Sequence, residues 1–331
     1  MRQRPGAGGD RIIAVTGANG FIGQHLIREL ENRGHSVRAV VRTDAAAAAV
    51  DKLPETVITR DPYDADAWRA ALEGCDAVVH LIGLAHGAAE RAEDELERFR
   101  RVNMEITERV RDACRRIGVK RLIYLSSIKA VGEGSEKPYA EDATCNPTTA
   151  YGISKREAEL LLLGGASDGP PEISVLRPPL VYGEAVKGNV ERMMKLVRKG
   201  FPLPIRCLSA RRSMVYVGNL TDALATLLAA PQPVCGVFHV ADAGPPPSAR
   251  GFLLAVAEAM GKRVVQLPVP APLLRLAGRM VGMSEEAAQL TRSLTVDAVR
   301  LRKELSWRAP VPSAEGLRRT VEWFMDSAGS G

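Results

Sequence analysis

Tyr151 and Lys155 stand four residues apart in a stretch, Ala150 to Leu163, whose apolar spacing predicts a helix, so their side chains share one face. A phenol with an ordinary pKa of about 10 is a poor base at neutral pH. An ammonium beside it lowers that value toward the working range, each unit being worth about 1.4 kcal/mol. With 6 tyrosines and 10 lysines in 331 residues, the pair arises by chance about 0.2 times in such a chain, so its surroundings decide its meaning. Upstream, Leu122 to Leu125 is an apolar run ending in Ser126 and Ser127, and ligands bind at the strand ends of parallel sheets. These residues suit proton exchange with a substrate oxygen: Tyr151 moves the proton, Lys155 tunes it and holds a cofactor ribose, and Ser127 orients the oxygen.

A second group suits phosphate. Thr16-Gly17-Ala18-Asn19-Gly20-Phe21-Ile22-Gly23 follows an apolar run, Ile12 to Val15, and opens a helix-patterned stretch to Asn32. Gly17 permits the tight turn, Gly20 admits backbone against a pyrophosphate, and Gly23 allows helix and strand to pack closely. The helix start adds oriented N–H groups and partial positive charge. Where NAD sites usually carry an acidic residue, at the end of the second strand, this chain has Val41 and Arg42. A guanidinium accommodates a ribose 2′-phosphate, so NADP(H) is favoured over NAD(H).

The elements that must position these groups alternate. Strands are expected at 12–15, 37–41, 56–59, 77–82, 122–126 and 174–177, separated by helices at 21–32, 64–72, a long charged 90–118, and 150–163. This is the rhythm of an α/β fold, a Rossmann-type doubly wound parallel sheet covered on both faces. After Arg177 prolines accumulate and the rhythm loosens, which predicts a smaller, less regular α/β substrate lobe. The domains expected are 11–180 for the dinucleotide and 181–326 for the substrate, with some segments of the latter returning to the sheet and flexible tails at 1–10 and 327–331. Helices are expected in the second lobe at 190–199, 219–230 and 248–260, and a strand at 237–240. Leu273 to Val281 is apolar with Arg275 and Arg279 four apart; it could lie on a membrane surface, but burial against the lobe is expected because its basic face is thin.

At 46% hydrophobic and 25% charged residues the chain sits at the globular average, which excludes disordered, collagen-like and disulfide-scaffold classes. The net charge of +6 comes from 35 arginines and 10 lysines spread along the chain, which suits anionic small molecules, and no motif supports nucleic-acid binding. Five cysteines without CxxC spacing suggest neither a disulfide framework nor zinc and fit a reducing cytoplasm. No apolar run is long enough for a signal peptide or a membrane span, and no metal site is expected.

Taken together, the glycine turn, Arg-Val-Asn-Met-Glu around Asn103, Leu-Ser-Ser-Ile-Lys-Ala-Val-Gly-Glu and Tyr-Gly-Ile-Ser-Lys resemble the extended short-chain dehydrogenase/reductases, the nucleotide-sugar epimerase/dehydratase superfamily. The resemblance runs from about Arg11 to Trp323. It implies a catalytic Ser127, Tyr151 and Lys155, Ser127 being preferred to Ser126 by its place five before Gly132. It places Asn103 beside the active site, Asp61 against adenine, and Ile82 and Gly83 along the cofactor, with Pro178 to Val181 passing the nicotinamide carboxamide. Asn189 and Arg212 match positions that hold a nucleotide diphosphate, for which a guanidinium fork is well suited. The family's Arg-Pro-Gly-Asp element is not recognisable near Leu294 to Asp297, and Arg292 is the nearest candidate for a second phosphate contact. His80 reads as a packed strand histidine.

The chemistry so implied is oxidoreduction at C4 of a nucleotide-linked sugar. Arg42 tilts the expectation toward NADPH-driven reduction of a UDP-4-keto-6-deoxy-hexosamine. The alternatives are a UDP-glucose or UDP-N-acetylglucosamine 4-epimerase and, from another class, a non-catalytic NADP-binding sensor or scaffold. A homodimer through the helices around 90–118 and 150–163 is the family expectation.

Overall fold

Short runs rich in valine, isoleucine and alanine, buried on both faces in the central strands, form the parallel sheet expected of them. The computed structural model describes residues 11–50, 55–85, 92–164, 169–232, 234–280 and 284–329. Its first part alternates: β1 (Ile12–Thr16), α1 (Phe21–Asn32), β2 (Ser36–Val41), α2 (Asp44–Ala48), β3 (Glu55–Ile58), α3 (Ala65–Leu72), β4 (Ala77–His80), α4 (Ala92–Arg100), α5 (Ile106–Ile117), β5 (Arg121–Leu125), α6 (Ala150–Gly164) and β6 (Glu172–Arg177). There follow β7 (Leu180–Tyr182), α7 (Asn189–Lys199), β8 (Met214–Tyr216), α8 (Val217–Ala229), β9 (Gly236–His239), α9 (Ala249–Ala259), α10 (Ala271–Met280), α11 (Ser284–Thr291), α12 (Arg300–Leu305) and α13 (Ser313–Gly329). Seven strands form one sheet in the order β3-β2-β1-β4-β5-β6-β9, and β7 pairs with β8 in a separate parallel ribbon. The five neighbouring pairs from β3 to β6 all run parallel, so Thr16, Val41, His80 and Leu125 end their strands at one edge. Turns leaving that edge carry the sequence's phosphate and serine motifs.

The long charged helix is interrupted. Between α4 and α5, Arg101–Glu105 winds as a π-helical turn with Asn103 buried inside it, an irregularity that frequently accompanies function. Residues 90 and 91 of the predicted span lie outside the described residues.

The chain divides into two compact units, and it passes between them more than once. Unit 1 takes in the chain to Ser126, Ile153–Leu176 and Leu224–Val237; unit 2 takes in Ser127–Gly152, Arg177–Ala223 and Phe238 onward. Ser127–Gly152, placed by sequence within 11–180, therefore packs with the second unit, because Ser127 leaves the sheet edge instead of starting another crossover helix. One core cluster of unit 1 buries Trp68, Leu72, Val110, Leu122, Ala158 and Val175, and Ile13, Leu26, Leu30, Val79 and Ile123 are buried outside it. Unit 2 packs around α9, α7 and α13, and its polar centre is Asp242, which accepts hydrogen bonds from Tyr182 Oη at 2.6 Å and Asn219 Nδ2 at 2.7 Å.

Two expectations need correction here. Ser327 and its neighbours to Gly329 belong to α13, whose amphipathic repeat, with Val321 and Phe324 buried, carries the helix past the expected boundary of a flexible tail; residues 1–10 and 330–331 lie outside the described set. Leu273, Leu276 and Met280 of α10 are exposed instead of buried against the lobe.

Candidate active site

The phosphate turn takes the geometry its glycines permit. Gly17 has φ +67°, and a Cβ there would stand 3.2 Å from the backbone nitrogen of Ile82. At Gly23 a Cβ would come within 2.5 Å of the Gly17 carbonyl oxygen, so α1 can lie this close to the turn after β1 only without a side chain. Gly20 is the first residue before α1 and no side chain caps the helix, leaving the first-turn amides of Phe21, Ile22 and Gly23 to serve another acceptor. Asn19 and Gly20 are exposed beside them. A turn that Cβ atoms would fill, opening an uncapped twelve-residue helix, fits a dinucleotide pyrophosphate.

Around the same edge of unit 1 stand the other residues singled out for a cofactor. Arg42 is exposed one residue beyond β2, and Asp61 is exposed beyond β3, its Oδ1 accepting from Tyr63 N at 2.9 Å. Ile82 and Gly83 follow β4. A Cβ on Gly83 would stand 2.9 Å from Lys155 Nζ, so a side chain here would displace the ammonium from its present position. Asn103 holds the next residue from both sides: its Oδ1 accepts from Leu84 N at 2.7 Å, while its Nδ2 donates to Leu84 O at 3.1 Å and Ser154 Oγ at 2.9 Å. Its role in the fold is to fix the backbone that follows β4.

Lys155 is 4% exposed. Its ammonium donates to Leu125 O at 2.9 Å and lies 4.6 Å from the centre of the Tyr124 ring. Burial pulls its pKa down to about 7, against the attraction of Glu159 one turn along α6. Glu159, fully buried, accepts from Ser126 Oγ at 2.6 Å and from Arg156 at 3.2 Å. Ser126 is thereby committed to the helix. Beneath Tyr124, His80 sits between Thr16 Oγ1 at 2.7 Å and Thr107 Oγ1 at 3.1 Å. Burial brings its pKa to about 3, so it is neutral at working pH and serves packing, not proton transfer.

Tyr151 lies one turn before Lys155 on α6 and is hydrogen-bonded to the Ser127 side chain. Burial pushes the phenol above its ordinary value and the Ser127 bond opposes that rise. Sequence reasoning expects the neighbouring ammonium to lower the phenol; in the structure Lys155 turns to Leu125 O instead, so burial prevails. Ser127 Oγ also accepts from Lys129 N at 3.2 Å, capping a single 3₁₀ turn, Ile128–Ala130, whose Ile128 N donates to Pro178 O at 3.0 Å. The Lys129 ammonium comes 6.0 Å from the centre of the Tyr151 ring.

What aims Tyr151 is the start of its helix. Thr149 Oγ1 accepts from Gly152 N at 3.2 Å, and the Glu133 carboxylate accepts from the backbone and hydroxyl of both Thr148 and Thr149 at 2.8–3.1 Å. A Cβ on Gly152 would meet the Lys129 carbonyl at 2.5 Å, so glycine lets α6 press against the turn that carries Ser127. Glu133 and Gly152 lie within the motifs quoted above, and Glu159 outside them, but the role of each is visible only once the turn and helix are docked.

Elsewhere in unit 2, Arg212 is half-buried and donates from Nη1 to Arg292 O at 3.3 Å, where Arg212 bridges Leu294. Burial draws its guanidinium below the ordinary value. The structure thus puts the two arginines side by side, with the Arg292 side chain exposed. Asn189 opens α7, and Val181 lies in the β7 ribbon after the buried Pro178.

Residues 13–241 match the model of the NAD dependent epimerase/dehydratase family. The chain belongs to that family. It is 33% identical to a UDP-glucose 4-epimerase of Vibrio cholerae over 96% of both chains. It is 25% identical to the N-acetyl-alpha-D-glucosaminyl-diphospho-ditrans,octacis-undecaprenol 4-epimerase of Escherichia coli O157:H7, over 95% of each. Among solved structures, MoeE5 in complex with UDP-glucose and NAD superposes with a TM-score of 0.75 at 25% identity, covering 96% of this chain and 99% of that one. Family membership accounts for the doubly wound sheet and for the glycine turn at its edge. Among the described residues, no helix is long and apolar enough to cross a membrane, and no His, Cys, Asp and Glu cluster could hold a metal.

Proposed function

We propose that this chain oxidises and reduces C4 of a nucleotide-linked sugar, with Tyr151 exchanging a proton with the C4 oxygen. The observation that carries this reading is the Ser127–Tyr151 hydrogen bond with buried Lys155 one turn further along α6. In this reading Ser127 holds the C4 oxygen and Lys155 holds the cofactor ribose. The glycine turn from Gly17 to Gly23, with Asp61, Ile82, Gly83, Asn103, Pro178 and Val181, forms the cofactor site; Asn189 and Arg212, with Arg292 beside it, take the nucleotide diphosphate. When bound, the nicotinamide cofactor supplies hydride transfer.

Likeness to the Vibrio UDP-glucose 4-epimerase supports epimerisation of a UDP-hexose as the first reading, and likeness to MoeE5, solved with UDP-glucose and NAD, supports the substrate class. Net reduction of a UDP-4-keto-6-deoxy-hexosamine is the second, favoured by Arg42 and by a phenol that burial keeps protonated, as a proton donor must be. Purified protein is incubated with UDP-glucose or UDP-N-acetylglucosamine and, separately, with NADPH and UDP-4-keto-6-deoxy-N-acetylglucosamine, and products are read by NMR. Tyr151→Phe is expected to lower kcat about 10²–10⁴-fold with Tm unchanged. A variant as active as the parent would end the catalytic reading. For the cofactor, Arg42→Ala is expected to weaken NADPH binding about tenfold and leave NADH binding unchanged. Equal affinity of the parent for both cofactors would remove the preference for NADPH. A homodimer through α4, α5 and α6 completes this reading.

A further inference from the structure

Helix α10 is apolar on two opposite sides. Leu274 and Gly278, four apart, turn inward where α10 packs along α11. On the other side Leu273, Leu276 and Met280, at i, i+3 and i+7, are 57%, 54% and 81% exposed, with exposed Ala277 between them. The outward apolar arc is flanked along one side by Arg275 and Arg279. The strand-like approach to the helix continues the pattern, with Val265 and Leu267 exposed beside Lys262 and Arg263. Five of the ten large hydrophobic residues exposed among the described residues thus fall within 265–280. No acidic residue occurs between Glu258 and Glu285.

We infer that the outer face of α10 lies on an anionic lipid bilayer, with its leucines and methionine at the acyl boundary and its arginines at the headgroups. Three features carry this. The apolar arc is solvent-facing, so water is displaced from it only by an external partner. The charged residues of the segment that carries it, Lys262, Arg263, Arg275 and Arg279, are all basic, which is complementary to an anionic surface. Arg279 borders the apolar arc, where a long side chain reaches from the acyl boundary to lipid phosphates, and exposed Arg275 beside it donates from Nε to Thr291 Oγ1 at 3.0 Å, leaving its other guanidinium nitrogens to add positive charge. With ten residues the helix is too short to span a bilayer, so the contact is interfacial. Binding of this kind holds the enzyme at a membrane surface whichever sugar reacts, and it stands or falls independently of the C4 chemistry.

The test is co-sedimentation of the full chain, without sugar, with vesicles of phosphatidylcholine alone or mixed with phosphatidylglycerol. The parent pellets with the mixed vesicles, binds phosphatidylcholine weakly, and is released by high salt. Leu276→Glu/Met280→Glu lowers binding about tenfold or more. Arg279→Gln, an exposed side chain whose loss leaves the fold intact, lowers it about fivefold. Both variants keep the parental Tm. Parent protein left in the supernatant with mixed vesicles overturns the inference, as do variants that bind like the parent. Sedimentation velocity gives a further way to overturn it: a dimeric parent that the double variant dissociates, with no vesicle binding by either, assigns the face to a second copy of this chain.

Discussion

Lys155 carries the most consequential ionisation in the described molecule. Burial lowers its pKa to about 7 from an ordinary 10.5, so across that window the unfolded chain holds a proton here that the folded chain lacks. Stability from this group therefore rises with pH between those values, and the penalty for charging it is full below about 7. Urea unfolding of the cofactor-free protein is expected to show stability climbing from neutral pH toward about pH 9, and Lys155→Met is expected to flatten that climb. Identical slopes for parent and variant would show that the ammonium is not desolvated. The Tyr-x-x-x-Lys spacing itself is legible in the sequence, because a helical period is a local property. The direction of the tyrosine shift is not, since it depends on which acceptor the lysine finds, and that acceptor is a carbonyl thirty residues upstream.

At the scale of elements, the site depends on how α6 starts. Glu133 alone satisfies the backbone N–H groups of Thr148 and Thr149, donors that would otherwise be orphaned at a helix N-terminus. Glu133→Ala is expected to cost about 1–2 kcal/mol in urea unfolding and to lower kcat, because the first turn that aims Tyr151 loosens. Glu133→Gln, which keeps an acceptor, should recover part of both. Loss of stability with kcat intact would make the residue a cap only. The strand and helix alternation through β6 is readable from apolar periodicity, whereas the short β7–β8 ribbon is not: three-residue strands among prolines carry too few residues to show a period. The π-helical turn at Asn103 is equally silent, since it arises where the side chain must reach Leu84 and Ser154 at once.

At the scale of the whole molecule, Leu160 is 53% exposed on α6, the helix proposed to meet its copy in a dimer. Leu160→Arg is expected to shift the sedimentation coefficient from dimer to monomer while the Tyr151 chemistry persists in the dilute enzyme. A variant that stays dimeric would move the interface elsewhere. By itself the sequence determined the sheet, the glycine turn and the Tyr-x-x-x-Lys spacing, because strand runs, glycine placement and i,i+4 spacing are each written within a few neighbouring residues. Only the tertiary structure decided that Ser126 is bound to Glu159, that residues 127–152 pack with the second unit, and that α10 turns leucines outward. Those outcomes depend on burial and on partners far away in sequence, and the same residue types carry no local mark of which partner they meet.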